Sequence, residues 1–219
     1  MVRWADKMTT AVFALSFSAL LAAIAAIWTD YRGPRLLVYI YRPLTMFFII
    51  SLVSRANNPL SAAYKVLILG GLALSLCGDV FMMLKKKRVM EGMLSFLLAH
   101  LFYIAAFLVG AKPRFTALLV LPFLIYAAVM LLVIFPSLGK MRLPVAIYIL
   151  AIMVMAALAA GRYIQIRDTK AILAFSGAVL FVISDSIWAI NRFVKPFKAA
   201  QAVILSAYFA AQWLIAMSV

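Results

Sequence analysis

Acidic residues are scarce in this chain of 219 residues: six Asp and Glu stand against 21 Lys and Arg, and charged residues make up only 12%. There is one cysteine, Cys77, and one histidine, His100. A lone cysteine excludes a disulfide framework and a thiolate cluster within the chain. With a single histidine beside it, too few ligands remain for a zinc site of the usual kind. No metal and no cofactor is therefore expected. The Gly-Lys-Ser/Thr phosphate loop, the Gly-x-Ser-x-Gly elbow and the His-Glu-x-x-His zinc motif are all missing, so the chemistries they carry are not expected either.

What is plentiful is apolar. Hydrophobic residues make up 68% of the chain, outside the range of a soluble globular domain and inside that of a polytopic membrane protein. One bilayer crossing takes about 20 apolar residues. Eight such runs are present, at approximately 10–28, 36–54, 62–84, 93–110, 115–135, 143–161, 171–190 and 199–219. Backbone groups in lipid must be paired within their own segment, so each run is expected to be a helix. The expected fold is all-α: an integral multi-pass membrane protein of eight transmembrane helices, forming one membrane domain over residues 1–219. The separators carry turn punctuation, such as Gly33-Pro34, Asn57-Asn58-Pro59, Lys112-Pro113 and Lys195-Pro196. Arg3 and Lys7 precede the first run as in a signal peptide. That run is longer than a signal core and more spans follow, so it is read as an uncleaved first helix.

The formal charge of +15 would suggest nucleic acid in a soluble protein. Here the basic residues fall in short loops between apolar runs, including Lys85, Lys86, Lys87 and Arg88. The expected partner is a bilayer with anionic headgroups rather than nucleic acid. Eight spans put both termini on one side. Nine basic residues fall on that side and twelve on the other, a lean toward termini outside, in the cytoplasmic membrane if the source is bacterial.

An internal repeat is also expected. Gly71, Leu74 and Asp79 in the third run match Gly177, Leu180 and Asp185 in the seventh at one constant offset. Pro43 and Pro144 stand near the starts of the second and sixth runs, and Tyr103 and Tyr208 follow their aspartates at nearly equal distances. Two parallel four-helix halves, related by an axis along the membrane normal, would bring both acids to one cavity.

Those acids carry the functional reading. A carboxylate at mid-membrane costs roughly 2.5–3.5 kcal/mol on insertion scales, and such residues usually mark a site. A carboxyl moved out of water holds its proton more tightly, which suits a proton donor working near neutral pH. Asp79 has a second reading, as a shallow carboxylate paired with the nearby basic run. Ser75, one turn earlier on the same face, is placed to bond it. Asp185 has no cation close in sequence and is expected to be the more buried acid. His100 with Tyr103 at i+3, Tyr208 with Gln212 at i+4, and Tyr148 supply donors and acceptors. They would line a polar pocket, or simply bond helix to helix. Arg42 is either an interfacial snorkelling arginine or a guanidinium fork for a lipid phosphate.

Taken in order, these residues resemble the YhhN family, which includes the animal membrane lysoplasmalogenases. The resemblance rests on Gly78-Asp79, Ser95-Phe96-Leu97-Leu98-Ala99-His100-Leu101-Phe102-Tyr103, Leu143-Pro144-Val145 with Tyr148, Ser184-Asp185, and Tyr208-Phe209-Ala210-Ala211-Gln212. It covers the chain from about Arg42 to Gln212. One departure is visible: Arg42 stands where a lysine is expected, which keeps the charge but not a proton-transfer role. The resemblance implies an intramembrane hydrolase that cleaves the vinyl ether of lysoplasmalogens to a fatty aldehyde and glycerophosphoethanolamine or glycerophosphocholine. Asp79 and Asp185 would be its acid/base pair. Tyr103, Tyr148, Tyr208 and Gln212 would orient water and the glycerol hydroxyl, His100 would bond an aspartate or the headgroup, and Arg42 would meet the phosphate of the lysophospholipid.

Two other readings compete. A small proton-coupled transporter also uses paired membrane acids; it predicts helices broken at mid-membrane in both halves. A structural or lipid-scaffolding protein, with aspartates that only lock helices together, predicts that Asp→Asn changes stability alone.

Overall fold

The structure, a computed structural model, describes residues 2–56, 60–84, 88–112 and 116–219, with the side chains of the first helix described from residue 10 onward. Of the sequence features above, Asn57-Asn58-Pro59, Lys85, Lys86, Lys87, Pro113 and the first residue of the fifth run lie outside the described residues, as do the side chains of Arg3 and Lys7.

Eight helices long and apolar enough to cross a membrane are present among the described residues, and no strand is. They are α1 (Val2–Arg32), α2 (Arg35–Ser54), α3 (Ala62–Met83), α4 (Val89–Leu108), α5 (Ala117–Ile134), α6 (Arg142–Ile166), α7 (Thr169–Ala189) and α8 (Ala200–Met217). Local chemistry sets their starts. Ser61, Thr116 and Asp168 cap α3, α5 and α7, each side chain accepting from a backbone N–H three residues on. This satisfies donors that a first helical turn leaves orphaned.

Several boundaries differ from expectation. The sixth span does not stop at Gly161. α6 runs on to Ile166 and ends where Arg167 takes a left-handed conformation, φ 56°. It continues because the buried Arg162 guanidinium has a use: it donates to the carbonyls of Phe107 (3.2 Å) and Val109 (2.5 Å) at the end of α4. α4 begins at Val89 rather than residue 93, and α1 reaches Arg32. The last turn of the seventh span, Ile190–Val194, is π-helical. The transporter reading expected helices broken at mid-membrane, but α3 and α7 are continuous α-helix over Ala62–Met83 and Thr169–Ala189.

Most successive helices pack together, closest in the α1/α2, α3/α4 and α7/α8 hairpins, whereas α4 packs on α3 and α6 rather than on α5. Small residues allow the close approaches. A Cβ on Gly71 would run into the Tyr103 ring, and one on Gly177 would come within 2.9 Å of the Ala211 carbonyl. The first four helices meet the last four where α4 packs on α6 and where α8 packs on α1 and α2. α6 is the central span, 61% buried, whereas α5 is only 17% buried and packs on α6 and the π-helical turn. Large apolar side chains such as Leu118, Leu132, Phe13 and Phe17 face outward. In water that would be a liability; in a bilayer it is the surface lipid tails solvate.

Candidate active site

Asp79 comes from the last turns of α3 and Asp185 from those of α7, so both lie toward the bundle face opposite the start of α1. A cavity of about 340 Å³ opens there, and both carboxyls line it. The remaining polar lining comes from Asp30, Arg42, Ser184, Arg192, Gln201 and Tyr208. These residues sit at the ends of α1 and α7 and in the starting halves of α2 and α8, which converge on that face.

Each carboxyl is held by a tyrosine. Tyr208 on α8 donates its hydroxyl to Asp79 Oδ2 at 2.7 Å. Tyr148 on α6 donates to Asp185 Oδ2 at 2.5 Å. Contrary to expectation, no hydrogen bond joins Ser75 to Asp79 among the described residues. The expected order of burial is also reversed: Asp79 is buried and Asp185 only partly so. The reason is that Asp185 stands at the cavity wall where α7 gives way to its π-helical turn, while Tyr208 covers Asp79.

Arg42 is mostly buried and donates from Nη2 to Asp30 Oδ1 at 2.6 Å. This pair stands between the cavity and a second polar recess of about 310 Å³ lined by Thr29, Arg35, Tyr39 and Leu84. The remaining sequence-derived candidates lie behind the cavity wall. Tyr103 donates to Gln212 Oε1 at 2.7 Å, and neither residue lines the cavity. His100 is fully buried, with Nε2 4.0 Å from Asp185 Oδ2, beyond hydrogen-bond reach. Phe181 organises this layer. Its ring meets those of His100 (4.9 Å), Tyr208 (5.6 Å) and Tyr103 (6.4 Å) edge-on, a geometry that aromatic rings favour.

Comparison with known proteins bears on this arrangement. The profile of the YhhN family matches residues 37–219, which contain both carboxyls and all the residues that meet them. The chain belongs to the YhhN family. The uncharacterized membrane protein YhhN of Escherichia coli O157:H7 is 32% identical to it over 198 residues, 90% of this chain and 94% of that protein. Human lysoplasmalogenase TMEM86B is 36% identical over 160 residues, 72% of this chain and 65% of its own length. Bovine lysoplasmalogenase TMEM86A is 30% identical over 227 residues, covering 85% and 89% respectively. No solved structure matches. Together with the eight apolar helices, the family makes this an integral multi-pass membrane protein.

Three polar lining residues of this YhhN-family site escaped the sequence reading. Asp30 lies in what looked like a loop after the first span, and only the extension of α1 to Arg32 turns it toward Arg42. Arg192 and Gln201 looked like flanking loop residues. Phe181 had a signal that was available: it sits four residues before Asp185, on the same helical face.

Proposed function

We propose that this protein is an intramembrane ether hydrolase that cleaves the vinyl ether of lysoplasmalogens by carboxyl acid/base catalysis. The observation that carries the reading is the pair of carboxyls from α3 and α7, each held by a tyrosine hydroxyl, on the wall of one polar cavity that also holds Arg42 and Arg192. The names of the human and bovine relatives support the substrate class.

The chemistry needs little else. One carboxylic acid gives its proton to the outer vinyl carbon, and the carbon bearing oxygen becomes part of an oxocarbenium ion. The second carboxylate faces that cation and takes a proton from the water that adds to it. The hemiacetal then collapses: its hydroxyl returns a proton to the first carboxylate, and the second carboxyl protonates the departing glycerol oxygen. One water is consumed and both groups are restored. The products are a fatty aldehyde and glycerophosphoethanolamine or glycerophosphocholine. Glycosidases divide two carboxyls between acid and base for the same kind of cation. Arg42, pre-oriented by Asp30, offers a planar fork to the phosphate. Tyr208 and Tyr148 hold the carboxyls in place; His100, Tyr103 and Gln212 support that layer from behind.

Aldehyde release from a lysoplasmalogen by purified protein in detergent tests this. Activity in the wild type and a fall of roughly 10²-fold or more in folded Asp79→Asn and Asp185→Asn variants is expected, the scale of a lost general acid or base. No aldehyde from well-folded protein with either headgroup would overturn the reading and favour proton-coupled transport.

A further inference from the structure

A second cavity also reaches Asp185. It is a cleft between α5, α6 and α7, and its walls are almost wholly apolar: Met130 on α5, Val145, Ile149 and Met153 on α6, and Met93 on α4. Asp185 and Trp188 line both this cleft and the polar cavity. They therefore form the junction between a polar chamber and an apolar one. Tyr148, which holds Asp185, also stands on the cleft wall.

We propose that the hydrocarbon chain of a single-chain lipid lies in this cleft, with its phosphate in the Arg42/Arg192 cavity and the bond between chain and headgroup passing Asp185. The inference rests on the hydrolase reading and adds the orientation of the substrate. The outer vinyl carbon, on the chain side of the ether, then meets Asp185. Asp79 faces the polar chamber through which water arrives.

The cleft as it stands has free space of only about 30 Å³, close to one water-sized group. It must widen to take a chain, and its construction allows that. Three of its wall residues are methionines, whose unbranched side chains repack readily. α5 is the least embedded partner, resting on α6 and the π-helical turn. Across the cleft Tyr126 on α5 donates to Ser186 Oγ on α7 at 2.8 Å, the one side-chain hydrogen bond between these two helices among the described residues. Parting α5 from α7 opens the cleft directly to the bilayer. The larger apolar groove, about 540 Å³ between α1, α2 and α8, is the competing chain site. It is lined by Phe13, Phe17 and Trp213 and by neither carboxyl, so a chain seated there leaves the ether bond away from Asp185.

Two measurements test the proposal, one of them independent of hydrolysis. A 1-O-alkyl lysophosphatidylethanolamine carrying a mid-chain diazirine has no vinyl ether to cleave. Its photo-adducts are expected on Met130, Ile149 or Met153; adducts confined to Phe13, Phe17 and Trp213 would overturn the proposal. In the second, Ile149→Trp fills the cleft. The ratio of kcat/KM for a four-carbon vinyl ether over a sixteen-carbon one is expected to rise tenfold or more. Equal losses on both substrates, or no change, would count against the proposal, and Met130→Phe gives the same comparison if Ile149→Trp does not fold. If the wild type cleaves neither vinyl ether, the hydrolase reading fails, while the adduct positions still decide where the chain lies.

Discussion

Asp30 and Arg42 meet at 2.6 Å although 12 positions separate them in the chain. The guanidinium is mostly buried and its Nε has no hydrogen-bond partner among the described residues; Asp30 is the acid that meets it directly. A hydrogen bond between charged groups is worth about 1.5–3 kcal/mol, and removing one partner strands the other. Asp30→Ala is therefore expected to lower Tm measurably in a detergent thermal-shift assay. An unchanged Tm would class the pair with exposed ion pairs, which contribute little. At this scale the sequence was informative about the acids and silent about their partners. Asp79 and Asp185 stand out because carboxyls are rare inside apolar runs. Which tyrosine holds which acid depends on contacts between distant helices. Tyr103 and Tyr208 look equivalent in sequence, yet Tyr208 bonds Asp79 while Tyr103 bonds Gln212.

The eight helices were legible as apolar runs, because lipid forces each run into one helix. Their ends were not. Gly161 and Arg162 read as the end of a span, since a glycine and a charge commonly mark one. Instead Arg162 is buried beneath the end of α4, where its guanidinium lies over the Tyr64 ring at 5.0 Å and donates to the carbonyls of Phe107 in the last turn and Val109 just beyond it. These are carbonyls that a helix end otherwise leaves unpaired. Arg162→Met keeps much of the side-chain volume and removes the donors. It is expected to cost about 1–3 kcal/mol, read as a lower Tm, with aldehyde release retained at a temperature where the variant is folded. Loss of activity without loss of stability would mean that this helix end communicates with the cavity in a way its packing does not suggest.

For the molecule as a whole, the cavity opens on the face that carries Arg32, Arg35, Arg192, Lys195 and Lys198. We propose that this face is cytoplasmic, the side toward which the twelve-to-nine excess of basic residues leans. The check is membrane-impermeant maleimide labelling of cells carrying single cysteines at Lys140 or Arg167 in a Cys77→Ser background. Labelling at position 167 and protection at position 140 is the expected result; the reverse pattern would put the cavity mouth outside. The constant offset between Gly71-Leu74-Asp79 and Gly177-Leu180-Asp185 pointed toward acids sharing one site, and they do line one cavity. The two glycines also do the same job, each letting its helix close on the next.

The two chambers that meet at Asp185 and Trp188 have a consequence for turnover. On the proposed reaction the substrate is amphiphilic, but each product belongs to a single phase. The glycerophosphodiester can leave through the polar chamber into water, and the aldehyde through the parted α5–α7 seam into lipid. Breaking the ether bond also breaks the tether between them, so neither product has to cross the medium it avoids. Their recombination at the site is then opposed by partitioning as well as by chemistry, and a reactive aldehyde is handed to the bilayer without passing through solvent.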